Sequence, residues 1–328
     1  MRFRRQLLGW FRKSGRDLPW RRTRDPYAVM VSEFMLQQTQ VASVIPYYHR
    51  WLERFPTFKA LALSSETDVL RAWQGLGYYA RARNLHAAAK YVLENFGGRL
   101  PANPAKIAML SGVGRYTAGA IASFAFDLPQ PIVDANIARV LARLTNWRRP
   151  IDCTRGRDHL WDIATTLLPP KSGRAYNSAL MDLGAMICLP RNPSCRECPV
   201  SSFCRAEKPE RLPVKRKRSQ VRRLTETHAF IRRRNLVLLE QSRTRWHGMW
   251  ILPRSNRTVK GPPLFKSEFP FTYHRITLQV VRGSSPPSPN EYRKWFPLAA
   301  VDKLPIPNPH RRALARLLPA SPGLISVP

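Results

Sequence analysis

The sequence predicts two parts: a mainly α domain over residues 1–207 and a small α+β domain over residues 225–303. Three observations support this division. Through residue 207, apolar side chains recur at three- and four-residue spacing with few β-branched runs, which is the helical period. From about residue 225 the period becomes two, as in half-buried strands. Between them, residues 205–224 carry nine Lys or Arg and two Glu with little apolar content, so 208–224 reads as a solvated basic linker. A length of 328 residues fits two domains.

The elements follow in order. Pro101, Pro104, Pro131 and the pair Pro169-Pro170 mark helix stops and starts. Ile137, Val140, Leu141 and Leu144 form one apolar stripe, and Leu180, Leu183, Gly184 and Ile187 form another. Beyond the linker, Thr227–Ile231, Leu236–Glu240 and Ile276–Val281 read as strands, with Gly248 and Pro253 between them. Residues 304–328 are a Pro-rich tail with room for one short helix at His310–Leu318.

Charge narrows the function classes. There are 55 Lys and Arg against 21 Asp and Glu, a formal net charge of +34. Such self-repulsion opposes compaction unless a polyanion offsets it, and nucleic acid is the expected partner. The basic residues are spread along the chain and not gathered on one amphipathic helix, which argues against a membrane surface. No apolar run is long enough to cross a bilayer, and the start of the chain lacks the apolar core of a signal peptide. A cytoplasmic location follows.

Five cysteines are present, four of them within 17 residues: Cys188, Cys195, Cys198 and Cys204, with Cys153 apart. An odd number in a chain of this size speaks against a disulfide framework. The spacing C-x6-C-x2-C-x5-C suits four thiolates around Zn²⁺ or a [4Fe–4S] cluster. Structural zinc usually takes two short knuckles, and only one is present, so the spacing favours iron–sulfur without deciding it. Arg191, Arg196 and Arg205 in the loop suit phosphate contact.

The stretch Leu110–Thr117 contains Gly112 and Gly114 followed by Arg115, lying between two helical segments. Such a turn lets backbone approach a ligand closely, and the N–H groups of the next helix suit a phosphate oxygen. In so basic a chain it reads as a helix–hairpin–helix DNA clamp.

Acidic residues are scarce, so their placement is informative. The segment Ala28–Ala42 is apolar around nearly its whole circumference and therefore a buried helix. Burial would raise the carboxyl of Glu33 in the manner of a general acid, with Gln37 and Gln40 on the same side; pairing with an arginine is the structural alternative. Asp134 stands before a helix, where capping alone would explain it and the helix N-terminus would keep it ionised. One raised and one ionised carboxylate is the pattern that cleaves a glycosidic bond.

These residues together resemble the MutY-type adenine DNA glycosylases of the helix–hairpin–helix glycosylase superfamily. The matching stretches are Leu18-Pro19-Trp20-Arg21, Asp25-Pro26-Tyr27, Val31–Val41, Gly75–Leu85, the hairpin at 110–117, and Met181–Ala185 leading into the four cysteines. Trp246-His247-Gly248-Met249-Trp250 carries a weaker likeness in the C-terminal part.

The resemblance implies a helix–hairpin–helix glycosylase fold with a [4Fe–4S] loop at 188–204 and a MutT-like domain that reads the opposite strand. It implies a monomeric base-excision enzyme that flips adenine from duplex DNA opposite 8-oxoguanine or guanine. Glu33 would protonate N7 of adenine, and Asp134 would face the sugar cation with Tyr116 and Asn136 nearby. Gln38 and Tyr78 would fill the gap in the stack, Trp20 and Arg21 would line the base pocket, and Tyr273 with His274 would read the lesion. Relatives with lyase activity carry a lysine where this chain has Tyr116, so a monofunctional enzyme is expected. Ala135 and Ser178 depart from the family pattern, as does Thr272-Tyr273-His274 where Phe-Ser-His is common. A Nudix catalytic box is missing. A glycosylase for thymine or uracil and a non-catalytic DNA-binding protein are the alternative readings.

Overall fold

The computed structural model describes residues 2–216, 221–255, 262–271, 273–283 and 291–318. The helices are α1 (Arg2–Ser14), α2 (Pro26–Leu36), α3 (Val41–Arg54), α4 (Phe58–Ala62), α5 (Glu66–Ala72), α6 (Ala80–Phe96), α7 (Pro104–Ala108), α8 (Arg115–Phe126), α9 (Ala135–Leu144), α10 (Thr154–Leu167), α11 (Gly173–Asp182) and α12 (Asn308–Leu317). The strands are β1 (Arg222–Phe230), β2 (Arg232–Arg233), β3 (Leu236–Gln241), β4 (Trp250–Ile251), β5 (Phe265–Phe271), β6 (His274–Arg282) and β7 (Arg293–Pro297). Packing divides the chain into two compact units, Met1–Leu63 with Asn84–Lys217, and Ser64–Arg83 with Arg218–Pro328. None of the described helices is long and apolar enough to cross a membrane.

In the first unit, α2 is the central wall. Asp25 caps it, its carboxylate accepting from the N–H groups of Tyr27 and Ala28, and Pro26 opens the first turn. Every residue from Tyr27 to Met35 is buried, as an all-round apolar helix requires. The helix stops at Leu36, short of the expected Ala42. Gln37 leaves the helical region and Gln38 takes a left-handed φ of 58°. Gln40 consequently sits at the start of α3 and does not share a face with Glu33. A second cluster gathers Leu7, Ile137, Val140, Leu141, Tyr176, Leu180 and Leu183 from α1, α9 and α11, so both predicted stripes are core. Beyond Asp182, α11 continues as a π-helical turn over Leu183–Ile187, a local widening that often marks a functional position.

The hairpin forms between α7 and α8. Gly112 has φ 75°, and a Cβ there would lie 2.7 Å from the Asn84 side chain, so glycine is required on two counts. Gly114 is the cap residue of α8.

In the second unit, β1 pairs in parallel with β6, which pairs antiparallel with β5. A second sheet forms on β3, which pairs with β2, β4 and β7. Alternate residues Ile276, Leu278 and Val280 of β6 are buried, matching the two-residue period. Strand β1 starts at Arg222, inside the stretch read as linker, because its register with β6 extends outward to the Arg222–His274 pair.

Candidate active site

Within the first unit, a cleft of 590 Å³ opens beside α2. Trp20, Arg21, Glu33, Gln38, Tyr116, Asp134 and Asn136 all line it, although they come from five separate stretches of sequence. Glu33 is 4% exposed. Burial pushes its carboxyl up to about 7; the Tyr116 hydroxyl, which donates to it, and the Arg21 charge work the other way, while the Asp134 charge adds to the rise. Burial together with the two neighbouring carboxylates holds the Tyr116 phenol well above its usual range, so this hydroxyl stays protonated and available as a donor.

Asp134 is the N-cap of α9. One carboxylate oxygen accepts from the Ile137 N–H at 2.6 Å, and the other accepts from the Asn136 side-chain amide at 3.3 Å. The sequence reading had this group held low by the helix N-terminus. It is instead raised, because burial outweighs the hydrogen bonds and the nearby Arg139 charge. The two carboxyls thus shift in the same direction. Asn136 is fixed in turn by Arg139, whose Nη2 donates to its Oδ1 at 3.0 Å. Gly184 permits the close fit here, since a Cβ at that position would lie 2.8 Å from the Asn136 Cβ. Ala135 and Ser178 also line the cleft, and Ser178 is 4% exposed.

Trp20 is buried and meets Tyr48 edge-on at 5.5 Å. Arg21 is less free than a ligand-reading arginine would be. Its guanidinium forks onto Asp182, Nη1 to Oδ2 at 2.6 Å and Nη2 to Oδ1 at 2.9 Å. Asp182 is fully buried and also accepts from the Arg16 backbone N–H and Nε. Burial favours its neutral form, but the bonds and charges of Arg21 and Arg16 prevail and hold the carboxyl below its usual range. Arg174 donates to the carbonyls of Phe124, Arg21 and Thr23. Sequence reasoning assigned no role to Asp182, Arg16 or Arg174. The available signal was Asp182 itself, a lone acid beside the apolar stripe of Leu180, Leu183, Gly184 and Ile187.

Other expected site residues lie elsewhere. Gly112, Gly114 and Arg115 form the hairpin, with the Arg115 guanidinium 3.9 Å over the Trp161 ring. Tyr78, in the second unit, has φ 48° and is 47% exposed. It lines a separate 330 Å³ cavity with Trp246, Phe269 and Phe271. Tyr273 is 71% exposed between β5 and β6, and His274 begins β6 opposite Phe271. Thr272 lies outside the described residues.

The four cysteines of the loop are unbridged. Cys188, Cys195, Cys198 and Cys204 are close enough to influence one another's charge. The buried Arg143 guanidinium donates to the Cys188 sulfur at 3.3 Å and to the carbonyls of Leu189, Pro190, Pro209 and Leu212. No group of three or more His, Cys, Asp or Glu side chains among the described residues is gathered so as to hold a metal ion. The buried Arg143 cation donating to the Cys188 sulfur nevertheless fits an anionic, thiolate-held cluster.

Residues 31–162 match the HhH-GPD superfamily base excision DNA repair proteins. The chain is 47% identical over 213 residues to the adenine DNA glycosylase of Rattus norvegicus, covering 62% of this chain and 41% of that one. It is 38% identical over 241 residues to that of Mycolicibacterium smegmatis, covering 73% of this chain and 80% of that one. With that of Buchnera aphidicola subsp. Schizaphis graminum, identity is 33% over 264 residues, covering 79% and 76%. The match spans about two-fifths of the length of the mammalian relatives. Among solved structures, a thermostable thymine-DNA glycosylase is 32% identical with a TM-score of 0.57, covering 62% of this chain and 94% of that one. A trapped endonuclease III–DNA covalent intermediate, at 22% identity and a TM-score of 0.53 over 62% and 92%, shares the fold. The chain therefore belongs to the adenine DNA glycosylase family, within the HhH-GPD superfamily of base excision repair proteins.

Proposed function

We propose that this chain is a monofunctional DNA glycosylase that removes adenine mispaired with 8-oxoguanine or guanine from double-stranded DNA. The observation that carries the reading is a carboxyl raised to about 7 and almost fully buried, sharing one cleft with a second carboxylate. An adenine flipped into the cleft takes the Glu33 proton at N7, which draws the glycosidic electrons into the ring. As the bond breaks, Asp134 stabilises the sugar cation, and Tyr116 and Asn136 hold the two carboxylates in place. Water adds at the anomeric carbon and loses its proton to solvent or to Glu33. Tyr116 supplies no amine, so no Schiff base to the sugar forms.

Cys188, Cys195, Cys198 and Cys204 would hold a [4Fe–4S] cluster. That cluster would cross-link the 188–204 loop, while Arg191, Arg196 and Arg205 present charge to phosphate. Gly112, Gly114 and Arg115 would clamp the backbone, and Gln38 would fill the space the base leaves. The aromatic cavity around Tyr78, with Tyr273 and His274 just beyond its Phe271 in sequence, supports a lesion-reading role for the second unit like that of a MutT-like domain. The enzyme would act as an intracellular monomer.

Single-turnover cleavage of duplexes holding adenine opposite 8-oxoguanine, adenine opposite guanine, and thymine opposite guanine tests the proposal. The expected order is the first fastest, the second slower and the third uncut. Likeness to a thymine-DNA glycosylase makes the third duplex the decisive competitor. Cleavage of thymine alone would replace adenine as substrate, and cleavage of none would leave a DNA-binding protein.

A further inference from the structure

The most heavily bonded carboxylate described above is not one of the two assigned to chemistry. Asp182 is fully buried and receives Arg16 N at 2.9 Å, Arg16 Nε at 2.7 Å, Arg21 Nη1 at 2.6 Å and Arg21 Nη2 at 2.9 Å. These bonds join residues more than 160 positions apart and fix both ends of the segment that carries Trp20. Arg21 closes the same segment on itself by donating to the Arg16 carbonyl at 3.0 Å. Trp20, Arg16 and Arg21 all line the cleft.

We propose that Asp182 is a positioning residue for the base pocket, which holds the Trp20-bearing wall in place and neutralises the guanidinium charge facing Glu33. The inference rests on the glycosylase reading. The charged or titratable groups around Glu33 are Arg16 and Arg21 from the segment before α2, Tyr116 from α8, Asp134 from the start of α9, and Arg174 from α11; α3 contributes only Val41 to this wall. Arg21 favours ionised Glu33, and Asp134 disfavours it. Ion-pairing of Arg21 with Asp182 places an opposite charge 2.6 Å from the guanidinium and so offsets part of the first influence. Without that carboxylate, the partly buried Arg21 guanidinium would favour the ionised acid more strongly and so weaken proton delivery to the base.

The test uses D182N and R21Q in the full chain, with single-turnover adenine excision from the 8-oxoguanine duplex across pH and duplex affinity measured in parallel. Loss of rate with rising pH reports ionisation of Glu33. D182N should move that limb down by about one pH unit, so its rate falls about tenfold above neutrality and far less in acid. R21Q should move the limb up. The Glu33 carboxyl carbon, assigned in NMR spectra by its disappearance in E33Q, should titrate with the same two displacements. This second readout decides the matter even if the wild type cuts no adenine, an outcome that would overturn the glycosylase reading alone. If D182N fails to fold, the R21Q displacement decides. Equal rate loss at every pH with both titrations unmoved would reduce Asp182 to a structural ion pair and overturn the proposal.

Discussion

Two cavities among the described residues differ in kind. The 590 Å³ cleft in the first unit is lined by Glu33, Asp134, Tyr116, Arg16, Arg21 and Arg174. The 330 Å³ cavity in the second is lined by Tyr78, Tyr79, Trp246, Phe269 and Phe271, with Glu268 and Arg312 its charged members. One surface has a titrating group near neutrality and donors aimed at it; the other has flat rings and a buried Ser267 hydroxyl without a partner. On the proposed reading the first moves a proton, whereas the second stacks and selects. Chemistry and recognition are therefore expected to separate under mutation.

The largest effect belongs to the first cavity. E33Q keeps the shape and removes the acid, and should lower single-turnover adenine excision by about 10²–10⁴-fold with duplex affinity retained. D134N follows, with a loss of about 10²–10³-fold, because the carboxylate stabilises charge that exists only as the bond breaks. Mutation in the second cavity should leave excision from adenine–guanine duplexes almost unchanged. Tyr78→Ala removes a stacking face and should narrow the preference for the 8-oxoguanine partner by about tenfold, read as a ratio of rates on the two duplexes. The smallest effect is expected for Tyr273→Ala, within about twofold, since its ring is 71% exposed. A Tyr78 variant that lost excision equally on both duplexes would erase the contrast between the cavities.

Much of the wall of the first cleft was legible in the sequence, for local reasons. The segment read as apolar around nearly its whole circumference, 28–42, is buried through Met35, and burial raises the carboxyl placed there. An aspartate before an apolar stripe announces a cap. Glycines at 112 and 114 announce a turn. What escaped was set by distant packing. The end of α2 depends on a left-handed Gln38, a conformation that glutamine does not advertise. The rise of Asp134 depends on how deeply α9 is covered. The role of Asp182 depends on arginines far away in the chain, and the association of Ser64–Arg83 with the second unit depends on contacts the helical period does not encode. The four cysteines were visible as a set, while Arg143 beneath them was one arginine among many.

The pH dependence of adenine excision under single-turnover conditions tests the central claim, that Glu33 delivers the proton. Between about pH 5 and pH 9 the wild-type rate should stay level in acid and then fall about tenfold per unit above about 7, as the carboxyl ionises. E33Q should show a low rate without that fall. A wild-type rate that held constant through the alkaline range, or an E33Q profile that kept the same descent, would place the proton donor elsewhere.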